Sequence, residues 1–255
     1  MIRPIPVQLR FVYLIPFCIF IVLPMADTPI FISWRTSSLT ISFTKNQFGA
    51  ICLYEILPLN HYHQKSASLI FASSELPLVS VRLSGEGNTN DKTAKSLVGG
   101  YLSSRLIYKS HQESQDGDVQ RLDIQSQGEG AGIMVTAHLS VYKDIPVLRS
   151  TVTITNESKS SDAIVNQVSS VTIGGLTTFS NEWNKDYVLR TATNSWFREA
   201  QWRKNSLPEI GIDKNGICEL PDGHSGSQAT FSLQNRGSFS TGSHLPMGVL
   251  ESRSN

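Results

Sequence analysis

Cysteine is close to missing from this chain: three occur among 255 residues. One of them, Cys18, lies in an apolar stretch near the N-terminus. A fold stapled by several disulfides is thereby excluded. What is left is one candidate pair, Cys52 and Cys218, which could close a bond in an oxidising compartment; two buried thiols are the alternative. Charge is scarce as well, at 17% of residues, with a formal net charge of +1. Arg3 and Arg10 are the only charges in residues 1–26, so the rest of the chain sets 20 basic residues against 21 acidic ones. No basic run occurs, so the field that would hold nucleic acid or an anionic membrane surface is absent.

Long apolar runs are lacking too. The longest, Phe11 to Leu23, is 13 residues and is interrupted by Pro16. A spanning helix needs about 20 apolar residues, so no stable membrane span is expected. The order of the segment is that of a secretory signal: Arg3 and Arg10, then the apolar core, then Ala26 before polar Asp27. Pro24 fits the small-residue rule for cleavage poorly; a signal anchor and a mis-set gene start are the alternatives. We read residues 1–26 as a signal-like segment and residues 27–255 as one domain of a secreted, extracellular protein. Asn156-Glu157-Ser158 is the one glycosylation sequon, in a polar turn that would tolerate a glycan.

The patterns of several catalytic classes are also missing. Gly99-Gly100 and Gly174-Gly175 belong to no phosphate-binding loop, and no cofactor is expected. Gly223-His224-Ser225-Gly226 lacks the spacing of a serine nucleophile elbow. His61-Tyr62-His63 would put two imidazoles on one strand face, but no third ligand sits at a recognisable spacing, and His111, His138, His224 and His244 are scattered. No metal site is expected. Among the acids, Asp116 and Asp118 flank a turn glycine, and Glu199 and Glu209 flank a Trp-rich segment. None marks the matched carboxyl pair, roughly 5 Å apart, of a retaining glycosidase.

Strand signals dominate what is present. Leu39 to Phe43 and Ile133 to Tyr142 alternate apolar and polar residues with period two. Leu148 to Thr155 sets Leu148, Val152 and Ile154 on one face and Arg149, Thr151, Thr153 and Thr155 on the other. Such alternation predicts antiparallel sheet with one packed face and one wet face. Clusters of Gly, Asn and Asp at 85–88, 115–118, 128–130, 156–162 and 222–223 separate the runs. Asp144-Ile145-Pro146 predicts a tight connection between two long strands, and the polar stretch 110–132 predicts a long hairpin loop. Helical periodicity is scarce; Ser195 to Lys204 is the best candidate, with Ser195 as cap and a Glu199–Arg203 pair, although its aromatics also suit a strand. The fold class is all-β, a large antiparallel β-sandwich.

Trp183, Trp196 and Trp202 fall within twenty residues. Indole rings suit the flat C–H faces of sugars, so these three are candidate carbohydrate-binding residues. The alternative is that they fill the core or a seam to a second domain, where Arg198 and Arg203 would stack and fork.

Three motifs in order carry a family resemblance. They are Pro146-Val147-Leu148-Arg149-Ser150 with Thr155-Asn156; Val168-Ser169-Ser170-Val171 with Gly174-Gly175-Leu176; and Asn194 to Arg203 (NSWFREAQWR) with Arg236 to Leu250 (RGSFSTGSHLPMGVL). Together they resemble the N-terminal region of family 36 α-galactosidases, over roughly Leu39 to Arg253. The resemblance implies a β-sandwich, possible assembly into a homo-oligomer, and terminal α-galactosides as the carbohydrate partner of the full-length enzyme. It also implies that the catalytic barrel and its two aspartates would lie beyond Asn255, with the sandwich itself incomplete at its C-terminal end. No catalytic residue carries over to this chain. A secreted, stand-alone carbohydrate-binding sandwich is the alternative.

Overall fold

The computed structural model describes residues 29–59, 69–70, 76–86, 101–158, 162–174, 182–212, 218–219, 225–226, 231, 233 and 243–253, with backbone alone at 69–70, 183, 218–219, 225–226 and 246. The signal-like segment, the His61–His63 pair, Gly99-Gly100, Gly175 and His224 lie outside the described residues.

Fifteen strands account for most of the described chain. They are β1 (Ile32–Arg35), β2 (Leu39–Lys45), β3 (Ile51–Pro58), β4 (Leu69–Ile70), β5 (Ser80–Leu83), β6 (Leu106–Asp116), β7 (Val119–Gly128), β8 (Ile133–Tyr142), β9 (Ile145–Asn156), β10 (Val165–Ser169), β11 (Tyr187–Ser195), β12 (Arg198–Ser206), β13 (Cys218–Glu219), β14 (Ser225–Gly226) and β15 (His244–Ser252). Two short helices, α1 (Tyr101–Ser104) and α2 (Trp183–Asp186), and a 3-10 turn at Pro208–Ile210 complete the set. All strand pairings among the described residues are antiparallel.

Two four-stranded sheets, β1-β2-β3-β4 and β6-β7-β8-β9, share one apolar core. The alternation read in the sequence is what fills it. Ile133, Val135, Ala137, Leu139 and Val141 of β8 are buried while the residues between them are half-exposed. Leu39, Ile41 and Phe43 of β2 and Trp34 of β1 meet them from the other sheet, and Leu148, Val152 and Ile154 of β9 close the rim. This is a β-sandwich, the class the pattern predicts. Ser37 N donates to Gln120 Oε1 at 2.7 Å, and Ser38 Oγ donates to the Ile145 carbonyl at 3.0 Å, tying the sheets at one end. On another edge the Lys45 ammonium lies 3.4 Å from the centroid of Phe31 and 4.5 Å from that of Tyr108; burial there lowers its pKa.

Short polar staples hold the sandwich to its flanks. The hydroxyl of Ser103, in α1, accepts from Val81 N at 2.9 Å and donates to Val81 O at 2.8 Å. The Glu86 carboxylate accepts from Leu83 N at 3.0 Å and from Leu102 N, joining the end of β5 to the start of α1.

Three expectations change. Residues 110–132 are not a long hairpin loop: most of them form β6 and β7, joined by a tight turn at Gly117, whose φ of 58° suits glycine. The stretch reads as polar because β6 is an outer strand exposed beyond Tyr108, while β7 buries Leu122, Ile124 and Ser126 on one face. The connection between β8 and β9 is Lys143-Asp144, with Asp144 at φ 59°, and Pro146 lies inside β9. Its missing N–H costs little there, because β9 is an edge strand and the ladder is bulged between Val141 and Tyr142. Ser195 to Lys204 is not a helix but the turn and second arm of a β-hairpin. Pairing of β11 with both β12 and β15 outweighs the helix-compatible composition of that segment.

Candidate functional site

The β12-β11-β15 sheet carries the Trp-rich segment. Ser195 pairs with Arg198, so Trp196 and Phe197 form the hairpin tip. Phe197 has φ 61° and Ala200 φ 52°, a backbone region that side chains enter at a cost of roughly 1–2 kcal/mol. Two polar clamps hold it: Glu199 Oε1 accepts from Phe197 N at 3.1 Å, and Asn194 Oδ1 accepts from Ala200 N at 3.1 Å. The rings of Trp196 and Phe197 meet edge to face at 5.7 Å. Trp196 is 84% exposed, and Trp202, opposite Ala192 on β11, is 49% exposed. Neither fills the core, which takes Trp34 instead, at 1% exposure. Trp183 opens α2, and its side chain lies outside the described residues.

Register and alternation put Trp202, Val249 and Met247 on the face of this sheet that also bears Arg190, Lys204 and Glu251. Val249 and Met247 are exposed. Glu251 pairs with Arg190 and with Lys204, the latter at 3.1 Å. The hydrogen bond from Arg190, then that from Lys204, holds its carboxyl down to about 2. A carboxylate whose folded pKa lies below its ordinary value of 4.5 contributes fully above that value and loses its contribution as the pH falls toward about 2. The sheet should therefore loosen on acidification, and Glu251→Gln should flatten that response. Trp202 emission followed from about pH 5 to about pH 2 checks this; an unchanged acid limb in the variant would refute it.

The acids flanking the Trp segment serve turns. Glu199 clamps the hairpin tip, and Glu209 Oε2 accepts from Ser206 N at 2.6 Å, which lowers its pKa. Asp116 reaches Arg121 at 3.4 Å, and Asp118 O accepts from Lys143 N at 2.9 Å. Cys52 is buried in β3, while the side chain of Cys218 lies outside the described residues. Asn156 is exposed at the end of β9, and its Oδ1 accepts from Ser158 N at 3.0 Å.

One grouping escaped the sequence. His138 stands on the outer face of the β6–β9 sheet with its Nδ1 2.8 Å from Asp123 Oδ1 and its Nε2 3.0 Å from Thr153 Oγ1. Asp123 and His138 are cross-strand partners, a fact no spacing reveals without the register. His111 pairs with Ile124 and so belongs to the opposite face. Among the described residues, no three of His, Cys, Asp and Glu are grouped as a metal ion would require.

Fold and surface together define an all-β sandwich with an exposed aromatic hairpin. No protein-family model and no curated protein matches the chain. Among solved structures, it is similar to an α-galactosidase from Lactobacillus brevis, with a TM-score of 0.45 and 15% identity over 69% of this chain. The chain spans 27% of that enzyme's length, and a likeness of that degree carries no functional argument.

Proposed function

We propose that this chain is the non-catalytic β-sandwich of an α-galactosidase-like glycoside hydrolase, whose whole acts on terminal α-galactosides. Its role is to support the catalytic barrel and the oligomer. The observation that carries the reading is the ordered series of sequence motifs. The two halves of the third motif, some forty residues apart, lie in one sheet and meet at its end: Asn194 N donates to Ser243 O at 2.9 Å, while most of the first half forms β12, on the far side of β11 from β15. The exposed Trp196–Phe197 tip, held at a strained turn, fits a seam against a further domain. Secretion would permit a Cys52–Cys218 bond, with two thiols as the alternative, and a glycan on Asn156.

The purified chain should release no nitrophenol from an aryl α-galactoside; release would refute a non-catalytic role. Sequencing the transcript past the codon for Asn255 tests the ancestry. A frame continuing into alternating strands and helices with paired aspartates is expected, and a stop codon there would favour the second reading. That reading is a stand-alone carbohydrate-binding module with Trp196 and Trp202 as its platform, and their exposure favours it.

A further inference from the structure

We propose that the outer face of the β6–β9 sheet is a binding groove for a neutral oligosaccharide, distinct from the Trp hairpin. The middle of this face is concave, with a volume of about 490 Å³, within the range in which small-molecule sites are built. Its lining is hydroxyls, amides, the Asp123 carboxylate and two histidines, His138 from this face and His111, whose register with Ile124 assigns its side chain to the other face. Register sets them in two adjacent rungs. Gln112, Asp123 and His138 form one; Ser110, Gln125, Thr136 and Thr153 form the other. Neighbouring strands lie about 4.8 Å apart, a spacing comparable to the width of a pyranose ring.

A merely solvated face leaves its polar side chains to water. Here they hold one another. The His138 ring is fixed at both nitrogens by Asp123 and Thr153, and Ser110 Oγ donates to Gln125 Oε1 at 3.0 Å. The His138 and Asp123 side chains are only 35% and 40% exposed, although they stand on an outer face. Such mutual support fixes side-chain rotamers before a ligand arrives, which lowers the cost of binding. Asp123 Oδ2 is left as an acceptor and the Gln125 amide as a donor, an arrangement that matches vicinal hydroxyls, each of which both donates and accepts.

Charge selects the class further. Asp123 is the one carboxylate of the two rungs, and His138 is already engaged with it. An anionic ligand would meet that carboxylate, and a metal ion would lack further anionic ligands. The ion pair Arg121–Asp116 and the Arg149 side chain stand on this face but outside the two rungs. A neutral polyol is the ligand the groove satisfies.

The test is a titration of the full chain with raffinose, maltotriose, cellotriose and xylotriose, read by backbone amide chemical shifts. The expected result is saturable binding of at least one sugar, with shifts centred on residues 110–112, 123–125, 136–138 and 153. Asp123→Ala should weaken it about tenfold, the loss expected of one charge-assisted hydrogen bond. Gln125→Ala, on the exposed face where folding is safe, should weaken it several-fold, while Trp196→Ala leaves it unchanged. The proposal is overturned if none of the sugars gives saturable shifts, if Gln125→Ala folds and binds as the parent does, if binding follows Trp196 instead, or if Zn²⁺ alone shifts these residues and the sugars do not. Preference for raffinose over the other sugars would bear on the α-galactoside reading, whereas the groove stands on whichever sugar binds.

Discussion

Trp34→Ala is expected to remove about 3–5 kcal/mol of folding stability, the cost of emptying a large aromatic site in a packed core. Trp34 is the largest of the fully buried side chains, set among Ile41, Phe43 and the inward residues of β8. The cluster draws on both four-stranded sheets, so closing the space would require both to shift. Trp196→Ala should change stability by no more than about 0.5 kcal/mol, since its ring faces solvent. Urea midpoints of the two variants measure the contrast. Equal midpoints would mean that the sandwich core is not where these contacts put it. Iodide quenching supplies a second reading: the parent's quenchable emission should fall with Trp196→Ala, and its protected, blue-shifted emission with Trp34→Ala.

Ser103→Ala should cost about 1–3 kcal/mol although it removes a single oxygen. The hydroxyl is fully buried and satisfies both the N–H and the carbonyl of Val81, with Ser80 Oγ at 3.2 Å. Alanine would leave these backbone groups desolvated and unpaired, and α1 would lose its anchor on β5. Ser103→Thr keeps the hydroxyl but adds a methyl group to a closed site, so it should recover only part of the loss. Hydrogen exchange at the Val81 amide reads the effect locally; unchanged protection in Ser103→Ala would remove this staple from the account.

Where alternation is clean, residue type alone reports the fold. In β8 every second residue from Ile133 to Val141 is apolar, and each is buried. The inward and outward faces of β9 follow in the same way from Leu148 to Thr155. The limits appear where composition is ambiguous. Glu199, Ala200 and Lys204 suit a helix as well as a strand; the partner that decides is β11, which is held on its other side by β15, about forty residues further along the chain. The outer half of β6 has almost no apolar residue to signal a strand; the ladder with β7 makes it one.

Side-chain chemistry divides along the same line. The identity of the Trp residues and their closeness in sequence were visible, but not that Trp34 is enclosed while Trp196 stands at a hairpin tip. The scattered histidines carried no signal, because Asp123, His138 and Thr153 are fifteen residues apart in each step and meet only through the register of three strands. Residue order alone dictates the all-β class and which faces of the main strands turn inward, because side chains alternate with the backbone pleat and water sorts them. Which strands are neighbours, and in what register, is settled in three dimensions, because those choices belong to long-range pairing that local residue order does not encode.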